Sequence, residues 1–216
     1  MDKHKRIMDV IAGVSIIVFP IMMLIGFLLH RDLMSFVIVT TAEQLVENFR
    51  HNWMFHYGHL VVTLAIPFII LASMYIMNTL KNKGLWYGII GGLIAVFGSV
   101  MLALDKGSLC LVLAGFDTLP DAQFSGLVPY LQVIVDKAGL LWINWLFALL
   151  PLGFIIQTIG LIKEQQVKVL QGSSIIFGLL LLYNPDIEII SVVGAIFMII
   201  GLVPLGVKIL KQSPGT

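Results

Sequence analysis

The segment Arg50-His51-Asn52-Trp53-Met54-Phe55-His56-Tyr57-Gly58-His59 holds three of the five histidines in the chain. An imidazole nitrogen with a free lone pair can ligate a metal or a haem iron, and near neutral pH the same ring takes up and releases protons. On a helix turning about 100° per residue, Asn52, His56, His59 and Thr63 share an arc about 60° wide, and His51 points elsewhere. A polar stripe entering an apolar helix has to face protein, water or a ligand rather than lipid. His30 closes the first apolar run at a similar depth. Two histidines on neighbouring helices at one depth could be axial ligands of a b-type haem. The set His30, His56 and His59, joined by Asp105 or Asp136, could instead hold zinc or another divalent ion. Two other readings stand beside these: an interfacial anchor cluster, because ring side chains with a polar tip favour the membrane boundary, and a protonation pathway. The His56-x-x-His59 spacing lacks the glutamate of a His-Glu-x-x-His helix, which disfavours a zinc hydrolase of that type.

Asp105-Lys106-Gly107 and Asp136-Lys137-Ala138-Gly139 each set an acid and a base where an apolar run ends. Adjacent helical residues diverge by about 100°, so Asp105 should pair with something other than Lys106. Crossed pairing, Asp105 with Lys137 and Asp136 with Lys106, would satisfy all four. The alternatives are rim ion pairs or acids lining an external cavity. The candidate ligand-binding set is therefore Asn52, His56, His59, Thr63, Asp105 and Asp136, with His30, His56 and His59 as metal ligands.

These residues must be positioned by membrane helices. The chain has 216 residues, 59% of them hydrophobic and 12% charged, with a mean hydropathy of +1.01. A soluble fold of that composition lacks the polar surface to stay in water. Five runs, Ile7–Leu29, Leu60–Leu80, Leu85–Leu104, Leu140–Ile162 and Ile189–Ile209, approach or exceed the ~20 residues that cross a bilayer. A sixth, Val169–Tyr183, is short, and spans by standing upright or thinning the bilayer. Placing the N-terminus in the cytoplasm puts nine of the 13 Lys/Arg inside: Lys3, Lys5, Arg6, Lys81, Lys83, Lys163, Lys168, Lys208 and Lys211. That bias is the one that orients membrane proteins. Only Arg31, Arg50, Lys106 and Lys137 fall outside, with nine of the 12 acids, among them Asp32, Asp117, Asp186 and Glu188. The apolar run after Arg6 continues past the length of a signal peptide without a small-residue cleavage site, so it reads as a retained span.

The expected architecture is all-α: a polytopic bundle of six transmembrane helices in three hairpins, with both termini cytoplasmic. Residues 1–216 form a single integral membrane domain, and the connections 31–57 and 105–138 form a small extracytoplasmic cap. Thr40-Thr41-Ala42-Glu43 looks like a capping box opening a helix in the first connection. Thr118-Leu119-Pro120-Asp121 is a helix start in the second, with an acid in its first turn. Asn184-Pro185-Asp186 suits a tight turn. Gly84, Gly88 and Gly92 recur every four residues and allow close helix contact, either within the chain or as the seam of a homodimer.

A net charge of +1 excludes a basic face for nucleic acid, and the lone Cys110 excludes an intrachain disulfide. Phosphate loops, nucleophile elbows and dinucleotide fingerprints are missing. Short loops point to a bacterial or archaeal cytoplasmic membrane. From sequence, the chain is an integral membrane protein whose outer His/Asp site binds haem b or a divalent metal ion for membrane redox chemistry. The alternative is non-enzymatic small-molecule transport or partner binding.

Overall fold

A computed structural model describes residues 3–30, 33–36, 38–184 and 187–212. Arg31, Asp32, Pro185 and Asp186, assigned above to two connections, lie outside the described residues. Among the described residues the fold is all-helical. Six apolar helices make its body: α1 (Lys3–Leu28), α3 (Trp53–Thr79), α4 (Leu85–Leu102), α8 (Leu149–Lys163), α9 (Val169–Leu181) and α10 (Glu188–Gln212). Short helices α2 (Ala42–Phe49), α5 (Cys110–Phe116), α6 (Asp121–Phe124) and α7 (Val128–Val135) gather at one end. Among the described residues, five helical paths are long and apolar enough to cross a membrane, as in an integral membrane protein. The sixth helix, α9, has 13 residues, about 20 Å at 1.5 Å per residue, short of a ~30 Å hydrocarbon core.

The six helices close a ring. α1 packs on α3 and α10, α4 on α3 and α8, and α9 on α8 and α10. Phe19 of α1 meets Phe154 of α8 across the ring, with ring centroids 5.5 Å apart, and Ile16, Ile69, Ile175, Met198 and Leu202 fill the space around them. Because lipid tails are as apolar as the side chains, helices in a membrane associate through close packing, which small residues permit. Four of the ring contacts show it: Gly26 lies against Gly58, Gly91 against Gly153, Gly178 against Gly194 and Gly13 against Gly206. The Gly84, Gly88 and Gly92 row packs inside the chain: a Cβ on Gly88 would come 3.0 Å from Leu80, and one on Gly92 2.9 Å from the Met77 sulfur.

Three boundaries differ from the sequence expectation. The second helix starts at Trp53 rather than Leu60, so His56 and His59 are full members of α3. The third run does not stop at Leu104. α4 continues through a π-helical segment, Ala103–Leu109, into α5, one helical path covering Asn82–Phe116. Nothing in Leu104-Asp105-Lys106-Gly107 breaks a helix, and the wider π turn absorbs the irregularity while turning Asp105 inward. The fourth run begins as a 3-10 helix, Gly139–Ala148, before α8. The capping box is also shifted by one residue. Thr41 is the N-cap; its hydroxyl accepts from the Gln44 amide at 3.3 Å, and the Gln44 side chain accepts from the Thr41 amide at 3.2 Å. Thr41-x-x-Gln44 satisfies the same rule as the expected Thr40-x-x-Glu43, and the glutamine additionally takes the Thr40 amide at 2.7 Å.

Candidate functional site

The end carrying α2 and α5–α7 has its own apolar centre: Ala42, Phe49, Leu113, Phe124 and Leu131. Arg50, following α2, fastens it. One guanidinium nitrogen donates to the Asp117 carbonyl at 2.7 Å, and the other donates to the Leu119 carbonyl and to Asp121 Oδ1, each at 2.8 Å. The same group lies over the Phe124 ring, 4.2 Å from its centroid. Asp117 completes the junction. Its Oδ1 accepts from the His51 amide at 2.9 Å, and its Oδ2 accepts from His56 Nε2 at 2.9 Å. Burial alone would raise the Asp117 carboxyl, but the His51 amide, the His56 ring and the Arg50 guanidinium outweigh it and hold the group below its ordinary value. Asp121, in open solvent, is lowered by its hydrogen bond to Arg50.

Beneath this cap lies a cavity of about 240 Å³. Its polar lining comes from both ends of the chain and the middle: His30 after α1, Asn48 of α2, Asn52 and His59 at the start of α3, Asp105 and Lys106 of the π segment, Lys137 before the 3-10 helix, and Glu188 at the start of α10. Leu45, Phe55, Leu113 and Ile134 supply an apolar portion.

Asp105 is buried, and it sits between two ammonium groups. Lys106 Nζ is 3.5 Å from one carboxylate oxygen and Lys137 Nζ is 3.6 Å from the other. Lys137 reaches inward from a left-handed backbone position, φ 46°, and lies over the Trp145 ring at 4.1 Å. The crossed pair Asp105–Lys137 is therefore present, but the second pair is not. Lys106, next to Asp105 in the π segment, reaches the same carboxylate, and Asp136 accepts from Gln132 Nε2 at 2.8 Å instead.

His30 and His59 meet edge to face, ring centroids 5.2 Å apart. His59 Nδ1 lies 2.7 Å from the Phe55 carbonyl. A carbonyl can only accept, so Nδ1 carries the hydrogen and a neutral ring presents Nε2 as an acceptor. His30 Nδ1 lies 3.2 Å from the Gly26 carbonyl, and its Nε2 lies 3.3 Å from Glu188 Oε1.

The arc drawn from sequence therefore divides. Asn52 and His59 line the cavity, whereas His56 turns to Asp117 and leaves its Nδ1 buried without a hydrogen-bond partner. The Thr63 hydroxyl donates to the His59 carbonyl of its own helix at 2.8 Å. Asn52 also caps α3, accepting from the Phe55 amide at 3.4 Å. Of the candidate residues, His30, Asn52, His59 and Asp105 share the cavity; His56, Thr63 and Asp136 do not. Among the described residues no group of three or more His, Cys, Asp or Glu side chains is arranged to hold a metal ion. No family model, curated protein or solved structure matches this chain.

Glu188 and Asp117 are site residues that the sequence pattern does not single out. Glu188 had one signal, an acid at the first turn of an otherwise apolar helix. Asp117 had none beyond its charge, because its partners Arg50, His51 and His56 lie more than sixty residues earlier in the chain.

Proposed function

We propose that this integral membrane protein binds a small polar molecule in the cavity beneath its cap, as a receptor or transport component rather than an enzyme. The observation that carries this reading is the cavity itself. Asp105, Lys106, Lys137 and Glu188 line a space closed by α2, α5 and α7 at the end of an otherwise apolar bundle. Charged groups at such a depth are costly, pair with one another, and commonly mark a ligand or ion route. Haem has less behind it. The volume falls below the ~300–1,000 Å³ common for pockets of drug-sized ligands, the His30 and His59 rings are in edge contact, and His56 is engaged by Asp117.

A thermal-shift screen of the purified protein against small acids, amines, zwitterions and sugars tests the proposal. At least one compound should raise the melting temperature of the parent, and Asn48→Trp, which fills the cavity from its exposed wall, should abolish that shift. A screen in which nothing moves the parent rules the reading out. A Soret band or a stoichiometric metal in the purified protein would return the site to haem or metal chemistry.

The basic bias places both termini and the Lys81–Lys83 connection in the cytoplasm and the cap outside. In a Cys110-free background, Ser125→Cys should react with an impermeant thiol reagent on sealed cells and Lys83→Cys should not; the reverse pattern overturns the orientation.

A further inference from the structure

We infer that the end of the bundle opposite the cap holds a second site, for the phosphodiester headgroup of an anionic glycerophospholipid. It lies in a cavity of about 210 Å³ bounded by α3, α8, α10 and the connection 164–168. Along α3 the two cavities are about 24 Å apart, from His59 to Tyr75 at 1.5 Å per residue. The second site is therefore independent of the ligand proposed for the first.

Its wall and mouth differ in polarity. Ile76, Leu161, Leu205 and Ile209, all buried, form the wall. Thr79, Gln166, Lys208 and Gln212 line the mouth, where α3 and α10 end. A lipid headgroup at the membrane boundary meets the same order, polar outside and apolar toward the bilayer centre.

The mouth is held in place by hydrogen bonds within the protein. Glu164 Oε1 accepts from the Lys81 amide at 2.7 Å and the Gly84 amide at 3.1 Å, and its Oε2 accepts from Gln166 Nε2 at 3.1 Å. The same glutamine nitrogen donates to the Thr79 carbonyl at 3.4 Å. The Gln166 carbonyl in turn accepts from Lys208 Nζ at 2.9 Å. Among the described residues this is the one hydrogen bond of Lys208, and an ammonium carries three N–H donors, so two remain for an anion.

The charge of this end favours an anion as well. Lys81 and Lys83 follow α3, Lys168 precedes α9 and Lys211 lies in the last turn of α10, all of them exposed. Asp9 and Glu164, the acids of this end among the described residues, are engaged elsewhere: Asp9 accepts from the Tyr75 hydroxyl at 3.1 Å, and Glu164 holds the amides named above. Basic pockets between membrane helices recognise anionic headgroups through such a positive field. A cavity of about 210 Å³ equals roughly seven liquid waters at ~30 Å³ each, room for a phosphate with its glycerol but not for an acyl chain.

The test is native mass spectrometry of the purified full-length protein in detergent, titrated with dioleoylphosphatidylglycerol or dioleoylphosphatidylcholine, with the melting temperature of each variant read alongside. The anionic lipid should bind at least fivefold more tightly than the zwitterionic one. Lys208→Gln should remove most of that preference and Lys208→Arg should keep it. Lys83→Gln, which removes the same charge from outside the cavity lining, should leave the preference unchanged. Equal binding of the two lipids by the parent overturns the site. Equal losses in Lys208→Gln and Lys83→Gln overturn it too, because surface charge alone would then account for the preference. Glycerol 3-phosphate supplies the same phosphate chemistry from solution; at the concentration of the lipid it should not displace phosphatidylglycerol. Displacement would assign the cavity to a soluble organic phosphate, and the lipid assignment would fall.

Discussion

Replacing Asp105 by asparagine is the most direct probe of the charge cluster. The parent places two ammonium groups at 3.5 and 3.6 Å from one buried carboxylate. At 3.6 Å the Coulomb attraction of one pair is about 5 kcal/mol with an effective dielectric of about 20. Most of that offsets the desolvation of the carboxylate, whose side chain is 8% exposed, at several kcal/mol per ion. A net of about 1–2 kcal/mol per pair remains. Asp105→Asn loses both pairs and leaves Lys106 and Lys137 repelling each other. Because the lysines keep 27% and 17% exposure, part of that repulsion is screened, and the expected loss is about 2–3 kcal/mol rather than the ~3–5 kcal/mol of a fully buried pair. Lys137→Gln loses one pair and the contact with Trp145, about 1–2 kcal/mol. In the double variant the second substitution removes a repelling charge, so the losses should fall short of additivity by about 1–2 kcal/mol. Reversible denaturation in mixed detergent micelles, read by far-UV circular dichroism for the parent, both single variants and the double, closes the cycle. Additivity within about 0.5 kcal/mol would refute the reasoning, because it would show that the three charges do not act as one group.

Two further predictions concern the frame around the site. A Cβ on Gly98 would collide with the Leu150 backbone nitrogen, whereas one on Gly115 meets nothing within 4 Å. Gly98→Ala should therefore force α4 and α8 apart and cost at least ~2 kcal/mol, while Gly115→Ala should be neutral or gain up to ~1 kcal/mol from helix propensity; equal melting temperatures for the two variants would contradict the packing. The Asp117 carboxyl is held below its ordinary value, so its contribution to the cap is complete above the ordinary carboxylate range and is lost as pH falls through the lowered value. Protease cleavage within α5–α7 should rise on acidification in the parent, and Asp117→Asn should show the raised cleavage already at neutral pH; a cleavage rate indifferent to both changes would remove Asp117 from the cap junction.

The residues that sequence alone located are those whose role is local. Apolar runs long enough to cross a bilayer, a capping box opening α2 that the sequence places one residue early, at Thr40–Glu43, the helix start at Asp121 and the gathering of His30 and His59 at one depth all follow from hydropathy, capping chemistry and helical rise, which depend on neighbours in sequence. The placement of Asp105 beside Lys137 was also legible, because both sit where an apolar run meets polar residues. Tertiary structure decided the rest. The fate of His56 depended on Asp117, 61 residues away, and buried Asp105 and its neighbour Lys106 sit on a π turn that hydropathy does not register. The cavity itself exists because glycine contacts between α1 and α3, and between α4 and α8, fix the rotation of each helix about its axis. A helical wheel gives the angle between two side chains on one helix but not the direction in which that helix faces, and that direction selects His59 rather than His56 as the residue lining the space.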